Sequence, residues 1–296
     1  MLKNCFNTFF FGNFFYGLCV VMLSIETRIQ YKWPLQSISW YVLIYCSTVA
    51  FYRFAYLNSS NLTQENDRAA WFQQNKLSIQ QNQWLLIASS VVAAAIYFWH
   101  HLIIPDIPTI LVAASFPFIA VLYYSVFFPK LIPIHIRHTG WLKPFLIGYV
   151  WAGIVTSFPL ILNQPTQTNI FTALHGFLLF KNWLFVSVLA ILFDIKDYTA
   201  DNNLELKTFV VRFGLSKTIF LIVLPITIIG WVLIALIATR LGIPLFRVLI
   251  NAIPFVLLII AALSLLQRKP ILYYLAVIDG LLLVKAICGI IAFTII

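Results

Sequence analysis

The stretch ILFDIKDYTADNNLELKTFVVRFG, from Ile191 to Gly214, is the point from which the rest of the chain becomes readable. It holds four of the nine acidic residues of an otherwise oily protein: Asp194, Asp197, Asp201 and Glu205. The three aspartates are spaced three and four apart, so on a helix turning ~100° per residue they fall within roughly a 60° arc and point one way. An apolar run precedes them and places them near a helix C-terminus. There the backbone dipole disfavours negative charge by up to about 1 kcal/mol each. A compensating cation is therefore expected beside them.

The surrounding composition fixes the fold class. Of 296 residues, 62% are hydrophobic and 9% charged, with a mean hydropathy of +0.94; soluble domains carry about a quarter charged residues. Repeated apolar runs of roughly 20 residues, each able to cross ~30 Å of hydrocarbon, predict an all-α polytopic membrane protein, one domain over residues 1–296. The formal charge of +10 is scattered through short loops with no basic stripe, which argues against a nucleic-acid partner. Cys5, Cys19, Cys46 and Cys288 show no metal or redox spacing and read as small hydrophobes. Lys3 ahead of an apolar stretch to Ile25 resembles a signal sequence. The lack of a small-x-small site before Glu26 favours an uncleaved first span.

Nine runs are long enough to span: about Phe6–Ile25, Ser37–Leu57, Trp84–Ile103, Thr109–Phe128, Trp141–Leu162, Ile170–Phe193, Leu215–Thr239, Pro244–Leu266 and Ile271–Ile296. Pro34, Pro105, Pro129, Pro165, Gly242 and Pro270 break the chain between them. Placing the N-terminus inside puts thirteen Lys and Arg residues on the cytoplasmic side and only Arg28, Lys32, Arg240 and Arg247 outside, with Lys181 and Lys285 within spans. The expected topology is N-terminus and aspartates cytoplasmic, C-terminus outside.

The aspartate stretch follows span six. After span two, Asn58, Asn61 and Glu65 repeat its three-then-four spacing on the same side, as two halves facing a central cavity would. Magnesium takes oxygen ligands, usually one or two carboxylates plus substrate phosphates. Asp197 and Asp201, four apart, are close enough to share such an ion with a diphosphate, and Asp194 could hold a second or its waters. Lys130, Lys207 and Arg212 are candidates for the phosphate oxygens. The competing reading is a solvated loop whose acids pair with Lys196, Lys207 and Arg212. Within spans, Lys181, Asp279 and Lys285 are costly to bury, and a Lys181–Asp279 pair is one arrangement. Asn13 is a further cavity-facing polar candidate, against a plain packing role.

The run from Asp194 to Asp201, with Lys207-Thr208 and Arg212-Phe-Gly214 after it, resembles the second aspartate motif of the UbiA superfamily of intramembrane prenyltransferases. The nine-span plan is similar along the whole chain. The resemblance implies a UbiA-like bundle in which Asp197 and Asp201 are paired magnesium-binding acids and Asp194 an additional one. It further implies a prenyl diphosphate donor, a hydrophobic aromatic or lipid acceptor, and surrounding membrane lipids. The stretch from Tyr123 and Tyr124 to Lys143 is similar to the family's loop after span four, which places a tyrosine and basic groups near the diphosphate.

Two departures bear on activity. The family's first motif, Asn-Asp-x-x-Asp-x-x-x-Asp, is here Leu57-Asn58-x-x-Asn61-x-x-x-Glu65, so two carboxylates are amides and the site's charge falls from three negatives to one. The family's Tyr-x-x-x-Lys spacing is absent, leaving Lys130, Arg137 or Lys143 to substitute. The expected function is prenyl transfer. The alternatives are a member that binds or carries an isoprenoid or lipid without catalysis, and a small transporter using Lys181 and Asp279.

Overall fold

The computed structural model describes residues 2–57, 67–100, 106–124, 140–161, 172–203 and 207–294. Its helices are α1 (Leu2–Phe11), α2 (Phe14–Gln30), α3 (Ile38–Leu57), α4 (Asp67–Gln74), α5 (Lys76–His100) and α6 (Ile107–Tyr124). They continue as α7 (Lys143–Ile161), α8 (Ala173–Lys196), α9 (Tyr198–Asn203), α10 (Phe209–Phe213), α11 (Leu215–Arg240), α12 (Leu245–Ser264) and α13 (Ile271–Thr294). No strand occurs among the described residues.

Six of these, α5, α7, α8, α11, α12 and α13, are long and apolar enough to cross a membrane. That is fewer than the nine runs read from the sequence. The other three have physical reasons for falling short: the left-handed turn at Asn13 cuts the first run and leaves α2 only 17 residues, α3 is studded with tyrosines and Arg53, and the apolar part of α6 is short. The first span also ends later than Ile25. The helix runs to Gln30, and Glu26, Thr27 and Arg28 are buried in it.

The core helix is α8. It packs on α7 and α11, while α13 packs on α2 and α12, and α2 on α3. Outward faces of α5, α11 and α12 expose Leu, Ile, Val and Trp side chains, as lipid-facing surfaces do.

Two spans accommodate proline by opening a π turn, Gly153–Ser157 before Pro159 and Ile219–Val223 before Pro225. Pro159 has no N–H for the carbonyl of Val155. Thr27 Oγ1, from α2, donates to that carbonyl at 2.8 Å in its place. One turn on, Arg28 Nη1 and Gln36 Nε2 donate to the Pro159 carbonyl at 3.0 and 2.9 Å. Arg28, expected in an outer loop, is thus a buried clamp between α2 and the end of α7.

Candidate functional site

The acids gather where α8 ends. Asp194 lies in the last turn of that helix, Asp197 caps it, and Asp201 sits on the short α9 that follows. Antiparallel to α8 runs α7, whose first residue is Lys143. A lysine at a helix N-terminus and acids at a helix C-terminus each oppose their own dipole, and side by side they offset one another. Lys143 Nζ stands 2.7 Å from Asp194 Oδ1 and 3.8 Å from Asp201 Oδ2. It is the compensating cation the sequence calls for. Lys196 Nζ pairs with Asp197 Oδ1 at 2.8 Å. Burial pushes the Asp197 carboxyl up, but Lys196, Lys143 and Arg68 more than offset this and hold it below its ordinary 3.8.

The segment after α9 follows its motif. Thr208 is extended (φ −64°, ψ 164°) and caps α10, its hydroxyl accepting from the N–H of Val211. Gly214 ends α10 at φ 80°, a conformation that side chains disfavour, and starts α11. Gly140, just ahead of α7, lies against the backbone of Lys207 and Thr208, which seats the Lys143 turn beside the motif. Lys207 and Arg212 themselves are exposed, and Arg212 lies over the Phe213 ring at 5.3 Å.

Between α2, α3, α6 and α7 lies a cavity of about 440 Å³, lined almost wholly by apolar side chains, among them Val20, Trp40, Phe51, Pro117, Val150 and Ile154. Tyr52 and Trp151 also line it, Trp151 Nε1 donating to the Tyr52 hydroxyl at 2.6 Å. Tyr52 stacks on Tyr16 at 4.7 Å with rings 10° from parallel. The Tyr16 hydroxyl lies near the Asp279 carboxylate, which in turn is within electrostatic range of Arg68 and Lys196. A run of aromatic side chains, Trp151, Tyr52 and Tyr16, thus leads from the apolar cavity towards Asp279. Asp279 owes its inward aim to a third π turn, Tyr274–Ile278, which ends on it.

Lys181 and Asp279, proposed from sequence as a pair, are in separate places. Lys181 Nζ reaches Glu26 Oε1 at 3.0 Å and Asn251 Oδ1 at 3.2 Å. Lys285 Nζ reaches Glu26 Oε2 at 2.9 Å. This Lys–Glu–Lys triad is buried, with Gln30 also donating to the glutamate. Glu26 was missed because it was read as the first residue beyond the span; two in-span lysines in want of an acid were the signal that could have found it. Arg53 and Arg68, both buried, were likewise read as loop or loop-edge charges. Asn13 lies at the α1–α2 turn, where Arg68 Nη2 donates to its Oδ1 at 2.6 Å. Asn58, Asn61, Glu65, Lys130 and Arg137 lie outside the described residues, and Tyr124 is the last residue of α6.

Magnesium, the ion the resemblance implies, can be tested against this donor set. Among the described residues no three acid, His or Cys side chains gather closely enough to hold an ion by themselves. Asp194 and Asp201 do converge on one position, filled here by the Lys143 ammonium, and Asp194 Oδ2 is buried with no partner among the described residues. Two carboxylates completed by phosphate oxygens are a usual magnesium shell. The residues fit the ion on those terms.

No family model matches the chain, and no curated protein does. One solved structure, of a digeranylgeranylglyceryl phosphate synthase in membranes, matches at a TM-score of 0.55 and 14% identity, covering 100% of this chain and 100% of that one. With the helical spans and the aspartate site in view, the likeness identifies the architecture: the chain has the fold of that membrane synthase.

Proposed function

We propose that this protein transfers a prenyl group from a prenyl diphosphate to a hydrophobic aromatic or lipid acceptor within the membrane. The observation that carries this reading is the apolar cavity of about 440 Å³, from which Trp151, Tyr52 and Tyr16 lead towards Asp279, together with the half-buried cluster of acids and lysines at the end of α8. One end takes a hydrocarbon chain and the other takes a charged head. The solved structure of the same fold is, by name, a synthase of a prenylated glyceryl phosphate, which agrees in chemical class.

In this reading the prenyl chain lies against Val20, Trp40, Val150 and Ile154, and its diphosphate meets the mouth formed by Asp194, Asp197, Asp201 and Lys143. Lys143 releases its carboxylates and turns its charge to the phosphate oxygens, a role that Lys207 and Arg212 share from the exposed rim. Magnesium, held by Asp194 and Asp201, would supply charge to stabilise the departing diphosphate. The aromatic faces of Tyr16, Tyr52 and Trp151 stand where an allylic carbon separating from that diphosphate would gather positive charge, and exclude water from it. The N-terminus and the aspartate end face the cytoplasm, by the distribution of Lys and Arg.

A carrier that binds the donor without turnover is the second reading, favoured by the Lys143 ammonium seated between the two carboxylates. Magnesium-dependent binding and turnover of geranyl and geranylgeranyl diphosphate, with Asp197→Ala alongside, separates them. Turnover lost in Asp197→Ala supports the enzyme. Donor binding with no turnover across a broad acceptor panel supports the carrier. Turnover that survives the substitution sinks the role given to Asp197.

A further inference from the structure

Where α1 gives way to α2 the backbone turns at Gly12 and Asn13, the latter left-handed at φ 65° and ψ 9°. Asn13 occupies the N-cap of α2 without capping it through its side chain, so the positive pole of a 17-residue helix opens onto this turn. Two arginines from other helices meet it. Arg53, on α3, donates from Nε to the Gly12 carbonyl at 2.8 Å and lies over the Phe14 ring at 4.4 Å. Arg68, on α4, donates to Asn13 and lies over the Tyr56 ring at 4.4 Å. Asn13, Arg53 and Arg68 are 0%, 2% and 7% exposed.

Among the described residues neither guanidinium has a carboxylate within ion-pair distance. Asp197 and Asp279 act on Arg68 electrostatically without closing on it. Three buried N–H donors, on Arg53 Nη1, Arg68 Nε and Asn13 Nδ2, also have no acceptor among the described residues. Buried donors without an acceptor and buried cations without a close counter-ion are both costly, and here they converge on one helix N-terminus. What satisfies such a cluster is an anion with several acceptor oxygens. The two arginines also flank, in sequence, the segment Asn58 to Glu65 in which two expected carboxylates are amides.

We propose that Asn13, Arg53 and Arg68, with the N-terminus of α2, form a phosphoryl-binding pocket that works without a metal ion, in place of the first metal site that the amides no longer support. This deepens the prenyl-transfer reading and rests on it for the identity of the phosphoryl group, which is either the donor's diphosphate or a phosphate on the acceptor. Two guanidinium charges replace those of a divalent ion, and the planar forks donate to phosphate oxygens side by side.

The test is calorimetric titration of the full-length protein in detergent micelles, in EDTA, with inorganic pyrophosphate and separately with inorganic phosphate. Metal-free binding is expected, weakened tenfold or more in Arg68→Gln and less in Arg68→Lys. Asn13→Gly, which keeps the positive φ and removes the amide donor, weakens it as well and carries the test if Arg68→Gln does not fold. Pyrophosphate bound at least tenfold more tightly than phosphate assigns the pocket to the donor; equal affinities assign it to an acceptor phosphate. No binding in EDTA, or binding that the variants leave unchanged, overturns the site. Turnover is not read here, so failure of prenyl transfer and failure of this pocket are separate results.

Discussion

Replacing Glu26 by glutamine removes the acid that holds two buried ammonium groups. Lys181 and Lys285 lie 3.0 and 2.9 Å from its two oxygens, with side chains 3% and 2% exposed against 0% for the glutamate. An amide of the same shape keeps the packing and one acceptor but leaves two positive charges facing each other in a dry interior. Breaking a buried pair in this way costs about 3–5 kcal/mol, and here one substitution breaks two. We expect Glu26→Gln to lower the unfolding free energy by at least about 3 kcal/mol, roughly a hundredfold in the equilibrium. The triple replacement Glu26→Leu, Lys181→Met, Lys285→Met should restore most of that loss, because it removes the charges along with their counter-ion. Equilibrium unfolding in mixed detergent–SDS micelles reads both. A Glu26→Gln protein within about 1 kcal/mol of the parent would refute the triad as a closed ion cluster. A triple variant no better than the single one would refute the electrostatic explanation of the loss.

Two further substitutions probe the frame and the cavity. Thr27→Val leaves the Val155 carbonyl without the donor that stands in for Pro159, and should cost about 1–2 kcal/mol in the same unfolding assay, whereas Thr27→Ser should cost little. Val150→Trp fills part of the cavity wall, so the ratio of kcat/KM for geranyl over geranylgeranyl diphosphate should rise; an unchanged ratio would place the prenyl chain elsewhere.

Much of this was legible because it depends on local pattern. Asp194, Asp197 and Asp201 announce a shared face by spacing alone, and their place at the end of an apolar run called for a cation, which Lys143 provides from a neighbouring helix. Which cation it would be was not legible, since contact between α7 and α8 is set by packing across many residues. Glu26 escaped for a related reason. A hydropathy reading ends a span at the first charge, whereas the structure ends it after Gln30, because Lys181, Lys285 and Gln30 satisfy the acid within the bundle. The Lys181–Asp279 pairing failed on depth. Asp279 sits six residues, about 9 Å of helix, from Lys285, and its π turn faces it to Tyr16 and the acid end. Arg53 and Arg68 were counted as topology markers, and nothing in their spacing told of burial against Gly12 and Asn13.

The glutamate has one more neighbour. α13 passes α2 so closely at Gly289 that a methyl group there would strike the Glu26 carboxylate. Positions 26 and 289 are therefore not free to vary one at a time. A larger residue at 289 must displace the acid from its place between the two lysines, so four positions on three helices are coupled. In descendants of this sequence the four should drift together or stay as they are.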